Sequence, residues 1–135
     1  MTSKYFKIQE LVSEEIYNKR GEKAWELINP KIIKTIDTIK ERFPKGTCTV
    51  NNWLWNGTRN ESGLRTSESK YYSPTSQHSL GNAIDFVMSA YTTEEVRQDV
   101  INNPSIYPYV RGIEMGVSWC HLDVRNRDTI LLFYP

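Results

Sequence analysis

Histidine and cysteine are the scarcest chemistry-bearing residues of this chain, two of each in 135 residues. Two cysteines, Cys48 and Cys120, close one bridge at most, which excludes a small fold stapled by several disulfides. No apolar run approaches the roughly 18 residues of a membrane-crossing helix. The opening stretch Met-Thr-Ser-Lys-Tyr-Phe-Lys-Ile also lacks the apolar segment of a secretion signal. Neither sign of charge is in excess, with 17 Lys and Arg against 16 Asp and Glu. A nucleic-acid or membrane partner attracted by bulk charge is therefore not expected. Internal repeats and low-complexity tracts are missing too. With so few histidines, any metal or acid–base chemistry that uses His must draw on His78, His121 or both.

What is present describes an ordinary globule: 39% hydrophobic, 24% charged and 12% aromatic residues. The length fits one domain over 1–135, large enough to bury a core without disulfide support. Residues 1–45 read as a helical scaffold and 46–135 as the sheet and site portion. Ile8, Leu11, Val12 and Ile16 form one stripe of an amphipathic helix, and a second short helix is expected over 22–28. Asn29 as N-cap and Pro30 at the first helical position open a third helix. Its buried face is Ile32, Ile36, Ile39 and Phe43, and Pro44 with Gly46 ends it. A strand over 47–50 leads into a polar stretch reaching about Gln77 with no periodicity, the kind of long loop that is usually functional or mobile. Residues 82–88 alternate as a strand, and Thr92-Thr93-Glu94-Glu95 reads as a capping box opening a helix to Asn102. Further strands are expected near 109–114, 117–125 and 130–134. Helices first and strands after predict an α+β fold, with the N-terminal helices packed on one face of a small antiparallel sheet.

Two segments carry the chemistry. In Ser76-Gln77-His78-Ser79-Leu80-Gly81-Asn82-Ala83-Ile84-Asp85 a histidine precedes a glycine turn, and a lone aspartate follows inside an apolar strand. A carboxylate in a strand interior is costly to bury unless it is paired or coordinates a cation. Read alone, Asp85 fits a loop cap or an arginine partner as well as a ligand. In Val117-Ser118-Trp119-Cys120-His121-Leu122-Asp123-Val124-Arg125, alternation puts Trp119, His121 and Asp123 on one face and Cys120 and Leu122 on the other. A lone strand histidine is commonly structural, but here both histidines sit beside strand-borne aspartates. A catalytic zinc site needs three protein ligands and one open position for water. His78, Asp85 and His121 supply that set.

Ser-x-His-x-x-Gly-x-Ala-x-Asp followed about 35 residues later by Trp-x-His-x-Asp resembles the zinc D-alanyl-D-alanine peptidases. That group includes bacterial DD-carboxypeptidases, phage endolysins that cut peptidoglycan cross-peptides and, by fold, the hedgehog signalling domain. Ser76, His78, Gly81, Ala83 and Asp85 carry the first motif, and Trp119, His121, Asp123 and Arg125 the second. A looser likeness runs from Val50 onward, through Asn51-Asn52-Trp53 and Gly63-Leu64-Arg65, and adds little in the helical first third.

The resemblance implies a hedgehog/DD-peptidase-like fold and a zinc ion on His78, Asp85 and His121. Zinc would activate a water and polarise the scissile carbonyl, while a carboxylate moves the proton. Many relatives place Glu three residues before the last histidine, where this chain has Ser118. Glu114 is the nearest upstream carboxylate and is expected to act as the base, provided that Gly116 turns the chain; an uninterrupted strand would put Glu114 and His121 on opposite faces. Read alone, Glu114 is an ordinary exposed glutamate. Asp123 is expected to orient His121 or to pair with Arg125, behind the ligands with Trp119. Substrate carboxylate would meet an arginine, Arg65 rather than Arg59, and Ser76 would hydrogen-bond substrate. Loop arginines and serines are also commonly just solvated. The expected activity is hydrolysis of D-amino-acid-containing peptide bonds in peptidoglycan by a monomer. The chain would be made in the cytoplasm and, if phage-encoded, released at lysis or carried on the virion. The competing expectation is a zinc-binding structural or binding protein of the same fold without turnover, such as a phage structural component.

Overall fold

Local signals in the first third set where each helix starts and stops. The structure, a computed structural model, describes residues 1–67 and 69–135. The Ser13 side chain accepts the backbone N–H of Ile16 and so caps helix α1 (Glu14–Arg20). That cap divides the stripe read as one amphipathic helix, because Ile8–Glu10 form a separate 3-10 turn. Ile8, Leu11, Val12 and Ile16 are nonetheless all buried. The short helix expected over 22–28 forms as 3-10 helix over Gly21–Leu27. Asn29 accepts Lys31 N–H at 3.0 Å and Pro30 opens helix α2 (Pro30–Arg42). Its buried side chains include Ile32, Ile33, Ile36 and Ile39, with Phe43 partly buried at the C-cap. Thr92 caps helix α3 (Thr93–Asn102) by accepting Glu95 N–H at 3.1 Å.

The five strands are β1 (Cys48–Thr49), β2 (Ala83–Met88), β3 (Gly112–Glu114), β4 (Cys120–Asp123) and β5 (Leu131–Phe133). They form one sheet in the order β1-β2-β4-β3-β5. The class is α+β, but the sheet is mixed rather than antiparallel, because β5 runs parallel to β3. The reason is topological. Both edges of β4 are taken by β2 and β3, so the chain reversing after β4 docks on the outer edge of β3 and takes its direction.

Successive rows of the sheet alternate in character. Ile84, Leu122 and Ile113 lie opposite one another and are all buried in the hydrophobic core. That core joins the helical third to the sheet through residues from Phe6 to Val124. Cys48 and Cys120 are free and buried within it, and burial pushes the Cys48 thiol up to about 12.

Residues 51–62, the first part of the polar stretch before β2, are pinned by hydrogen bonds. Buried Asn51 donates to the Val12 carbonyl at 3.0 Å and accepts Ser62 N–H at 2.9 Å. Asn52 accepts Arg59 N–H, and Trp53 Nε1 donates to Val12. The backbone N–H of Asp85 on β2 then donates to Ser62 at 2.7 Å. Among the described residues no helix is long and apolar enough to cross a membrane.

Candidate metal centre

The polar face of the sheet carries one cross-strand row. Asp85 of β2 lies opposite His121 of β4, His121 opposite Glu114 of β3, and Glu114 opposite Phe133 of β5. Directly opposed residues share a face, so this register gathers the four side chains. The expected obstacle, Glu114 and His121 on opposite faces, does not arise. Gly116 turns the chain at a φ of 74°, and the two residues sit on adjacent strands instead of along one.

His78 joins the row from the loop before β2. Its Nδ1 stands 2.9 Å from the Gly63 carbonyl, which can only accept, so Nδ1 carries the proton. Nε2 therefore faces Asp85, 3.3 Å from Oδ1. His121 makes two 2.8 Å contacts, Nδ1 with Asp85 Oδ1 and Nε2 with Asp123 Oδ2. Asp123 is fully buried, and Arg125 donates to it through Nε at 2.7 Å and Nη2 at 2.6 Å. Both roles considered for Asp123 are thus met by geometry at once.

Electrostatics follow from that packing. Burial pulls the His121 pKa down, but the hydrogen bonds to Asp123 and Asp85 outweigh it and hold it up at about 9. Burial likewise pushes Asp85 up, and its contacts with His121 and His78 overcome this, keeping its carboxyl well below the usual range. For Asp123, burial is outweighed by Arg125 and His121, leaving it at about 2. The 2.8 Å contact between His121 Nδ1 and Asp85 Oδ1 is one that a metal cation would take over. One ligand atom each from His78, Asp85 and His121 lies within 4.8 Å of the others, and all three residues are buried, so the group could hold a metal ion. Two imidazole nitrogens and one carboxylate oxygen are a donor set that suits zinc. Each histidine has its other ring nitrogen fixed by an oxygen acceptor, the arrangement expected around ligating imidazoles.

The three residues line a cleft of about 380 Å³ with Glu114, Trp119, Arg65, Ser76, Arg125 and Phe133. Arg65 leans toward the centre, Nη2 lying 3.6 Å from Asp85 Oδ2, while Nε donates to the Glu61 carbonyl. Arg59 is turned away and donates to the Val50 carbonyl. Ser76 accepts the His78 N–H at 3.2 Å through its hydroxyl. Trp119 borders the cleft with its Nε1 buried and unpartnered among the described residues. Ser118 lies outside it, its carbonyl accepting Thr93 Oγ1 at 2.8 Å.

Three contributors escape a reading of residue types. The Gly63 carbonyl sets the His78 tautomer, and a backbone acceptor has no sequence signal. Arg97 of α3, almost fully buried, donates to the carbonyls of Val117 and Trp119 and holds the turn that leads into β4. Gly112 makes room for Asp123, since a Cβ there would stand 2.2 Å from its Oδ1. A scan against family models, a search of curated proteins and a search of solved structures each returned no match for this chain.

Proposed function

We propose that the protein is a zinc-dependent peptidase that hydrolyses D-amino-acid-containing peptide bonds of bacterial peptidoglycan, on a hedgehog/DD-peptidase-like fold. The observation that carries this reading is the convergence of His78, Asp85 and His121 in one cleft with a carboxylate, Glu114, opposite His121. Zinc held by these three residues would polarise the scissile carbonyl and lower the pKa of an attacking water. The Glu114 carboxylate takes that water's proton and delivers it to the departing amine nitrogen. Asp123 keeps the proton on His121 Nε2, which leaves Nδ1 for coordination. Arg65 offers a planar fork to a substrate carboxylate, and Ser76 a hydroxyl to the peptide backbone. Phe133 packs edge-on to His121 at 5.5 Å and walls that side of the cleft with an apolar ring.

The test is release of new amino termini from purified peptidoglycan with added zinc, for the intact chain and for Glu114→Gln. The intact chain should turn over, and E114Q should bind zinc but lose about 10²-fold or more in rate. A chain that binds zinc and releases nothing is instead the structural protein that Ser118, in place of the usual glutamate, allows. His121→Ala should lose the metal on elemental analysis, and full retention would refute the ligand set.

A further inference from the structure

Helix α2, the lead into β3 and the segment after β4 meet at a second cleft, of about 550 Å³. It is lined by Lys31, Arg111, Arg125 and Arg127 around Tyr109, and by no Asp or Glu among the described residues. Arg125 is neutralised, since its Nε and Nη2 both donate to Asp123. The other three cations make no ion pair among the described residues. Two of them are held by uncharged acceptors instead. Arg111 donates through Nε to the Arg127 carbonyl at 3.1 Å and through Nη1 to the Val110 carbonyl at 2.7 Å. Arg127 Nε reaches the Thr129 carbonyl at 3.4 Å. A carbonyl fixes a guanidinium without cancelling its charge, so these forks are ordered and still cationic. Lys31 and Lys34, one turn apart on α2, each stand over the Tyr109 ring at 5.8 Å, which carries the charge beyond the cleft along the helix. The nearby carboxylates are engaged elsewhere or turned aside. Asp37, one turn after Lys34, accepts from the Ser3 hydroxyl and the Lys4 N–H, and Asp128, which follows Arg127, does not line the cleft.

We propose that this band of Lys34, Lys31, Arg111 and Arg127 docks the backbone of a phosphodiester polymer. A single carboxylate would leave most of the charge unanswered, whereas successive phosphates bring one negative charge per unit and oxygens that suit a guanidinium fork. The band runs from α2 to the segment after β4, which fits a chain rather than one ion. A nucleic acid fits less well. Tyr109 is the only aromatic residue among those lining the cleft, and two ammonium groups already occupy its ring, leaving no platform for bases. The inference goes beyond the peptidase reading and does not depend on it. Arg125 lines the metal cleft as well, so a polymer docked here lies at the rim of that centre. On the peptidase reading, a wall that carries such a polymer would be held against the metal centre.

The probe is a fluorescently labelled glycerol-phosphate oligomer, and its binding to the intact protein with zinc present is followed by polarisation. It should bind at low salt and weaken as salt rises, because docked phosphates release counterions. Lys31→Gln/Lys34→Gln and Arg111→Gln/Arg127→Gln should each weaken binding about tenfold or more. Lys23→Gln/Lys45→Gln removes the same charge from exposed positions outside the cleft and should change binding less than about twofold. Every variant keeps the metal-centre residues, so phosphate bound at zinc is common to all arms. Inorganic phosphate, at equal phosphate concentration, should displace the probe poorly. No binding at low salt, equal losses in the band and control pairs, or full displacement by inorganic phosphate would overturn the docking surface. Tighter binding of polyglutamate, or of a single-stranded oligonucleotide of equal charge, would overturn the choice of partner.

Discussion

Asp123 is the residue on which the setting of His121 turns. It has no exposed surface, holds His121 with one oxygen, and is clasped by Arg125. Its neighbours across the sheet are Ala83 on one side and Gly112 on the other, both small. Gly112→Ala would drive a methyl group into the carboxylate, and it should cost about 1–3 kcal/mol of stability by overpacking. Because the displaced carboxylate orients His121, zinc affinity should fall by roughly 10–100-fold as well. Urea denaturation and competition with a chromophoric chelator read the two effects, and a variant with wild-type zinc affinity would show that Asp123 does not act through His121. At this scale the grouping of Asp85 with His121 was legible because strand alternation and costly carboxylate burial both act on residue type, while His78 was singled out by its place before the glycine turn. The Gly63 carbonyl was illegible, since every residue carries one.

At the scale of elements, the turn between β3 and β4 decides whether Glu114 faces the centre. Helix α3 holds that turn from outside, Arg97 on the Val117 and Trp119 carbonyls and Thr93 on that of Ser118. Arg97→Ala leaves two part-buried carbonyls without this donor and should lower stability by about 1 kcal/mol or more. On the proposed peptidase reading it should also slow turnover more than it weakens zinc binding, as kinetic assay and chelator competition would show, because it frees the turn and not His78, Asp85 or His121. Helices α2 and α3 are joined by Arg42, whose Nε donates to Asp99 at 2.9 Å, with the Tyr107 hydroxyl on the same carboxylate. The Arg42 contact, ahead of a smaller opposing effect of burial, lowers the Asp99 pKa from its ordinary 3.8. A depressed folded-state value stabilises the fold above the unfolded pKa and is lost as pH falls through the folded one. Asp99→Asn should therefore flatten the loss of stability below about pH 4 relative to wild type, measured by urea denaturation across that range. The capping residues Ser13, Asn29 and Thr92 show what was readable here and what was not. Asn29 and Thr92 stood before clear periodic runs, whereas Ser13 sat inside one, and a local hydrogen bond overrode a correct apolar stripe. The parallel β5 was unreadable for a different reason: nothing within 130–134 records which edges of the sheet are already occupied.

For the whole molecule, the helical third and the sheet share one core, while the cleft draws on the loop before β2 and on four of the strands. A ligand that binds only the folded chain stabilises it by mass action. Zinc at about 100 times its dissociation constant should add about 2.7 kcal/mol, and chelation should remove the same amount, seen as a fall in melting temperature. No such shift in His121→Ala is expected. The row Asp85–His121–Glu114–Phe133 gives this linkage a further meaning. A slip of β4 by one residue would turn His121 and Asp123 toward the apolar side together and bring Leu122 to the cleft. The metal centre can thus be assembled only in one pairing of the central strands, and a bound cation would act as a lock on that pairing. Amide hydrogens of β2 and β4 should then exchange more slowly with zinc than without it, by a larger factor than those of α3, which lies outside the row.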